Sequence, residues 1–170
     1  LTGGGQRGEP VPLASLAERI ITVATARGLT LATAESLTGG LLAATLTTVP
    51  GASAVFRGGV VAYATDLKAS LLGVGADLLG RRGAVDPDVA SAMAAGARRA
   101  MAASLGVATT GVAGPDPAEG KPVGTVYVAV SHRGGGSVSS LALPGSRAEI
   151  RAATVAEALR LLAAKLEQTG

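Results

Sequence analysis

The sequence predicts a three-layer α/β/α single domain with a mixed β-sheet. Three observations carry that prediction. Segments with helical spacing alternate with short apolar or β-branched runs along the chain. Two late runs, Val123 to Ser131 and Val138 to Leu143, flank the Gly-rich stretch Arg133 to Gly136 and read as an antiparallel hairpin. A length of 170 residues fits one core. Earlier strands joined through helices, plus a hairpin, give a mixed sheet with helices on both faces.

Leu1 to Pro12 is Gly- and Pro-rich without periodicity and reads as a disordered lead-in to a domain spanning 13–170. Leu13, Leu16, Ala17, Ile20, Val23 and Ala24 have helical spacing, and Gly28 is the expected terminator. Leu29 to Ala32 then reads as a strand, Thr33 to Gly40 as a tight polar turn, and Leu41 onward as a second helix, ended by Pro50-Gly51. Val55 to Thr65 reads as a strand with a bulge at Gly58-Gly59, and Thr65-Asp66 as the cap of a short helix to Leu72 that carries Lys68. Gly73 to Gly83 reads as loop with one helical turn at most. Asp86-Pro87-Asp88 is a strong helix start, and this Ala/Met/Gly-faced helix is expected to run to about Leu105. Val107 to Gly111 reads as a buried strand, and Gly114 to Pro122 as a loop. The last helix begins at a Ser146 cap, with Ile150, Val155, Leu159, Leu162 and Leu166 as its apolar stripe.

Composition narrows the function classes. Cysteine is absent and His132 is the single histidine, which excludes disulfides and thiolate sites and argues against a bound metal. The net charge is only +3, Arg81-Arg82 and Arg98-Arg99 are isolated pairs, and aromatics make up 2%, so nucleic-acid binding is not expected. No run reaches the roughly 18 apolar residues of a membrane span, and no charged leader precedes a cleavage site, so a cytoplasmic protein is expected.

The turn Thr33 to Gly40 holds the first candidate residue. Ser36 sits between a strand and a helix, where free backbone N–H groups favour negative charge, so it reads either as a helix cap or as a nucleophile beside an oxyanion site. With no cysteine and His132 in a hairpin turn, a Cys/His pair is impossible and a Ser/His/Asp triad is not expected. Lys68 is the alternative base. It stands alone in the apolar frame Leu67 to Leu72, where burial would bring its amine toward neutrality; a surface lysine laying its stem along the helix is the other reading. Tyr63, at the end of the preceding strand, is placed to orient the pair. Ser36, Lys68 and Thr110 all follow predicted strands and are expected on one rim.

Several segments together resemble the C-terminal domain of the CinA family, which includes the bacterial nicotinamide-nucleotide amidases. They are Ala34 to Gly40, Pro50 to Ser53, Tyr63 to Lys68, Gly83 to Val85, Thr110 to Pro115, Lys121 to Val126, and Gly145 to Arg147 with Ile150-Arg151. They run in order from Leu13 to the C-terminus, which makes the set more specific than any single motif. The resemblance implies hydrolysis of the carboxamide of nicotinamide mononucleotide to nicotinate mononucleotide and ammonia, without cofactor or metal. It implies a Ser–Lys pair at Ser36 and Lys68 with Tyr63 alongside. Substrate-binding positions then fall on Thr38, Gly39, Gly40, Thr110, Gly111 and Arg147, and a homodimer is favoured. Leu37, Thr65, Asp86, Ser146 and Pro117-Ala118-Glu119 depart from the family pattern. For the phosphate, Arg147 at a helix start is the candidate, its alternative being a surface arginine near a cap. The loop from Gly114 to Gly120 reads as a lid or a dimer contact. The rival reading is a non-catalytic ligand-binding or partner-interaction domain on the same scaffold. A second enzyme reading is an amidase for a different carboxamide.

Overall fold

A computed structural model of the chain describes residues 12–168, so the lead-in expectation lies, save for Pro12, outside the described residues. The elements follow in the order α1 (Leu13–Ala26), β1 (Leu31–Glu35), α2 (Leu41–Thr47), a 3-10 turn (Ala52–Ala54), β2 (Phe56–Val61), α3 (Thr65–Leu72), α4 (Ala76–Arg82), α5 (Pro87–Ala100), β3 (Leu105–Gly111), β4 (Thr125–His132), β5 (Gly135–Ala142) and α6 (Arg147–Gln168). The sheet order is β2-β1-β3-β4-β5. β1 runs parallel to β2 and β3, while β3–β4 and β4–β5 are antiparallel, which makes the sheet mixed.

Side-chain size sorts the two faces of the sheet. Leu31, Leu105, Val107, Val126, Val128 and Val130 pack with the apolar stripes of α1, α2 and α6. Their neighbours of opposite parity, Ala32, Ala34, Ala108 and Ala129, form the other face and pack with Val89, Ala90, Met93, Ala94 and Ala97 of α5. Small residues let α5 approach closely: a Cβ at Gly106 of β3 would collide with the backbone carbonyl of Ala94. A Cβ at Gly96 would likewise collide with the Leu72 carbonyl at the end of α3. Three layers result, as the alternation in sequence predicts.

Several boundaries differ from the sequence reading. β1 continues through Glu35, so the turn shortens to Ser36–Gly40; paired on both sides by β2 and β3, the strand keeps its ladder longer than propensity suggests. β2 stops at Val61 rather than Thr65, and its bulge leaves Arg57 out of register just before Gly58. α3 begins at Thr65 after Ala64, with no side-chain cap from Thr65 or Asp66. The stretch Gly73–Gly83 contains a seven-residue helix, α4, that buries none of its residues and so carries no clear stripe to read. α5 starts on the Asp86 cap as expected, the Asp86 carboxylate accepting from the Asp88 amide at 2.8 Å, but stops at Ala100 and not near Leu105. Ala102, at φ 47°, turns the chain out of the helix. β3 accordingly begins at Leu105, ahead of Val107. β4 starts at Thr125 and β5 at Gly135, so the hairpin turn is tighter than Arg133 to Gly136. The α6 cap is the expected one: Ser146 Oγ and the Glu149 amide lie 3.4 Å apart, while the Glu149 carboxylate accepts from the Ser146 amide at 2.7 Å. Among the described residues no helix is long and apolar enough to cross a membrane.

Candidate active site

The parallel strands β1, β2 and β3 all deliver their carboxyl ends to one rim, and the turn after β1 carries Ser36 there. That turn is held from every side. The Ser36 amide donates to Thr109 of β3 at 3.0 Å, and Thr38 and Thr109 share a buried hydroxyl contact of 2.8 Å. Leu37 is sunk in the core. From α6, the Arg151 guanidinium donates to the carbonyls of Leu37 (2.9 Å) and Thr38 (3.0 Å). Glu35, 1% exposed, turns its carboxylate back beneath the start of α2 and accepts from the amides of Gly40, Leu42 and Ala43 at 2.8–3.0 Å.

Glu35 therefore takes the place at the mouth of α2 that the sequence reading offered to Ser36. The capping alternative for Ser36 falls away, and its hydroxyl is left for other use. The Gly39 amide closes the turn onto the Ser36 carbonyl at 3.0 Å. Within the turn, the amides of Leu37 and Thr38 are those without a protein acceptor among the described residues.

Lys68 arrives on α3 and is 1% exposed, among the largest fully buried side chains. The surface-lysine reading is thereby excluded. Its Nζ lies 3.2 Å from Ser36 Oγ, 2.7 Å from the Ala62 carbonyl and 3.5 Å from the Tyr63 carbonyl. Burial lowers the Lys68 pKa from its ordinary value, and the negative charge of Glu119 opposes part of that fall. A neutral amine has two N–H donors and one lone pair. Carbonyl oxygens can only accept, so the neighbour able to donate into that lone pair is the Ser36 hydroxyl.

Ser36, Tyr63, Lys68, Thr110, Gly111 and Arg147 line one cavity of about 260 Å³, shared with Asp116 and Glu119 from the loop after β3. Tyr63 takes a different part from the one expected. Its ring is 58% exposed and its phenol oxygen accepts from Arg147 at 2.7 Å, while its carbonyl is what touches Lys68. Arg147 also donates to the Gly114 carbonyl at 2.6 Å, and so bridges the Tyr63 segment to the 114–120 loop. Thr110 is buried, and its hydroxyl donates to the Ala84 carbonyl at 2.7 Å. Thr38, Gly39 and Gly40 lie outside the cavity wall: the Thr38 hydroxyl is buried on Thr109, Gly39 faces Arg151, and the Gly40 amide belongs to Glu35.

Three contributors were not read from the sequence. Arg151 was detectable, being one helical turn after Arg147 on the same face. Glu35 was not, because it reaches forward five to eight residues, unlike the three-residue capping box. Glu119 binds the amides of Ala84 and Val85, each at 3.0 Å, and no local pattern announces a contact 34–35 positions away. His132 lies at the other end of the sheet, where its Nδ1 accepts from the Gly134 amide at 3.2 Å.

The comparisons with known proteins agree with this architecture. A family model described as the CinA C-terminal domain matches residues 13–166. A CinA-like protein of Frankia casuarinae is 56% identical over 136 residues, covering 80% of this chain and 31% of that protein. A putative competence-damage inducible protein of Desulforamulus reducens is 52% identical over 134 residues, covering 79% and 33%. The chain thus spans about a third of the length of the curated relatives it matches. Among solved structures, the competence/damage inducible protein CihA of Agrobacterium tumefaciens superposes with a TM-score of 0.88 at 44% identity, covering 94% of this chain and 98% of that one. The competence damage-inducible protein A of Klebsiella pneumoniae superposes with a TM-score of 0.91 at 32% identity, covering 94% and 100%. A family match over nearly the whole described chain, relatives more than half identical, and the same fold in solved structures lead to one conclusion: this chain belongs to the CinA C-terminal domain family.

Proposed function

We propose that the domain is a Ser–Lys amidohydrolase and that its substrate is nicotinamide mononucleotide, deamidated to nicotinate mononucleotide and ammonia. The observation that carries the reading is the 3.2 Å approach of the buried Lys68 amine to Ser36 Oγ, with the amine's other neighbours all acceptors. Neutral Lys68 takes the hydroxyl proton as Ser36 Oγ bonds to the carboxamide carbon. The amide of Leu37, on the cavity wall and without a protein acceptor among the described residues, supplies a donor for the oxyanion, worth about 3–4 kcal/mol in comparable sites. Collapse of the intermediate breaks the C–N bond, and the Lys68 proton leaves with ammonia. Water, deprotonated by the same amine, then cleaves the Ser36 ester and frees the carboxylate. Arg147, at the first turn of α6 and on the cavity wall, supplies a guanidinium for the phosphate. The substrate itself follows from the family resemblance, which joins the Ser36 and Lys68 segments to those around Thr110 and Arg147.

The test is ammonia release from nicotinamide mononucleotide. Ser36→Ala is expected to lower kcat by about 10³-fold or more, since the parts of a nucleophile–base unit fail together. Near-normal turnover in that variant would remove the nucleophile, and turnover of other carboxamides with none of the mononucleotide would replace the substrate. Arg147→Ala is expected to raise KM for the mononucleotide well beyond its effect on free nicotinamide. Equal effects on both would take the phosphate away from Arg147.

A further inference from the structure

We propose that a second pocket, at the end of the sheet opposite Ser36, binds the phosphate group of a small molecule. The pocket encloses about 390 Å³ between the C-terminal turn of α5 and the β4–β5 hairpin, within the roughly 300–1,000 Å³ usual for small-molecule sites. Arg98, His132 and Arg133 line it, and no carboxylate does.

The free polar side-chain groups of this wall are donors. Among the described residues the Arg98 side chain makes no hydrogen bond or ion pair, and its Nε is buried without a partner. A buried unpaired donor of that kind calls for an acceptor. The Gly134 amide donates to His132 Nδ1, which leaves the ring proton on Nε2 and makes His132 a donor as well. Arg133 is an exposed cation at the lip. Of the carbonyls that end α5, which would ordinarily repel an anion, all but that of Ala100 are engaged. Ala97 accepts from the Met101 amide, Arg98 from the Ala103 amide, Arg99 from the Ala102 amide, and Met101 from the Arg57 side chain. The Ser104 hydroxyl is spent on the Thr30 amide at 3.0 Å.

The wall is also strained. Ala102 holds φ 47°, a left-handed conformation that helix ends usually give to glycine. Two arginines and a histidine lining one cavity suit the three oxygens of a phosphate, a guanidinium fork being able to take two of them.

Titrating ¹⁵N-labelled protein with inorganic phosphate, and separately with adenosine monophosphate, tests the proposal by NMR. Saturable shifts are expected at the His132 ring, Gly134 and Ala102–Leu105, and Arg98→Gln and Arg133→Gln should each weaken binding about tenfold. Arg133 lies on an exposed turn, so that variant keeps the fold even if Arg98→Gln does not. Tighter binding of the mononucleotide than of phosphate would assign the phosphate to an organic ligand, and equal binding to the free ion. The proposal is overturned by an absence of saturable shifts, by shifts confined to Ser36, Leu37 and Thr110, or by binding that both variants leave unchanged, which would mean an adventitious ion only.

Discussion

The two walls of the Ser36 cavity are built on opposite principles. The Ser36 turn is fastened by buried groups at almost every residue: Glu35 beneath it, Thr109 beside it, Arg151 above it and Leu37 in the core. The facing wall, the 114–120 loop, is largely exposed and held by point contacts, Glu119 on the Ala84 and Val85 amides and Arg147 on the Gly114 carbonyl. The Thr38–Thr109 and Glu35–Leu42 contacts of the first wall are buried, where a polar bond is strong and its loss expensive; the Arg147–Gly114 contact of the second is exposed and competes with water. Ser36 therefore sits on the more firmly held wall, and the more exposed loop faces it across the cavity.

The comparison breaks most sharply if the fixed wall turns out not to matter for chemistry. Lys68→Met keeps an unbranched apolar stem, one heavy atom shorter, while removing the amine. It should lower kcat by about 10²–10⁴-fold, the usual worth of a general base, with little change in KM. Steady-state kinetics beside near-UV circular dichroism check this; a folded variant with wild-type kcat would leave the buried amine without a catalytic part.

The next test attacks the fastening itself. Glu35→Ala strips the acceptor from three amides at the start of α2 and leaves a buried void. A loss of about 3 kcal/mol is expected, and a Tm lower by about 6–12 °C for a domain of this size. Urea and thermal unfolding measure it. Because Glu35 supports the turn, kcat should fall as well, while the variant still has its Ser36 and Lys68. A loss below about 0.5 kcal/mol would mean that the turn is held by its other contacts.

What could be read in advance divides along the same line. The layered fold, the Asp86 and Ser146 caps, and the gathering of Ser36, Lys68 and Thr110 on one rim were legible, since they rest on periodicity, capping chemistry and the convergence of strand ends. Local spacing could not reveal that Glu35 rather than Ser36 caps α2, since β1 first had to be extended through Glu35 to aim its carboxylate beneath the helix. Helix α4 escaped because its seven residues only half-bury Leu78 and Leu79, too little for the apolar stripe that periodicity detects. The Tyr63 phenol was assigned to the Ser–Lys pair on sequence nearness, whereas Arg147, 84 positions away, captures it.

Glu119→Gln probes the adjustable wall and should have the smallest effect. The variant keeps one oxygen for the Ala84 and Val85 amides and loses the other, part-buried bond, so global stability should fall by about 1 kcal/mol and KM should rise a few-fold. The informative quantity is the pH–rate profile. Of the charged groups around Lys68, Asp116 and Arg147 stay on the cavity wall, Asp66 stays on α3, and Asp86 stays at the start of α5; only the charge of Glu119 is removed. In the wild type that charge favours the ammonium and opposes the lowering caused by burial. Without it the Lys68 pKa falls further, more of the amine is neutral at a given pH, and the limb along which kcat rises with pH moves to lower pH. A limb that stays in place while KM rises would confine Glu119 to tethering the loop; a limb that moves to higher pH would mean that Glu119 does not act on the base through its charge.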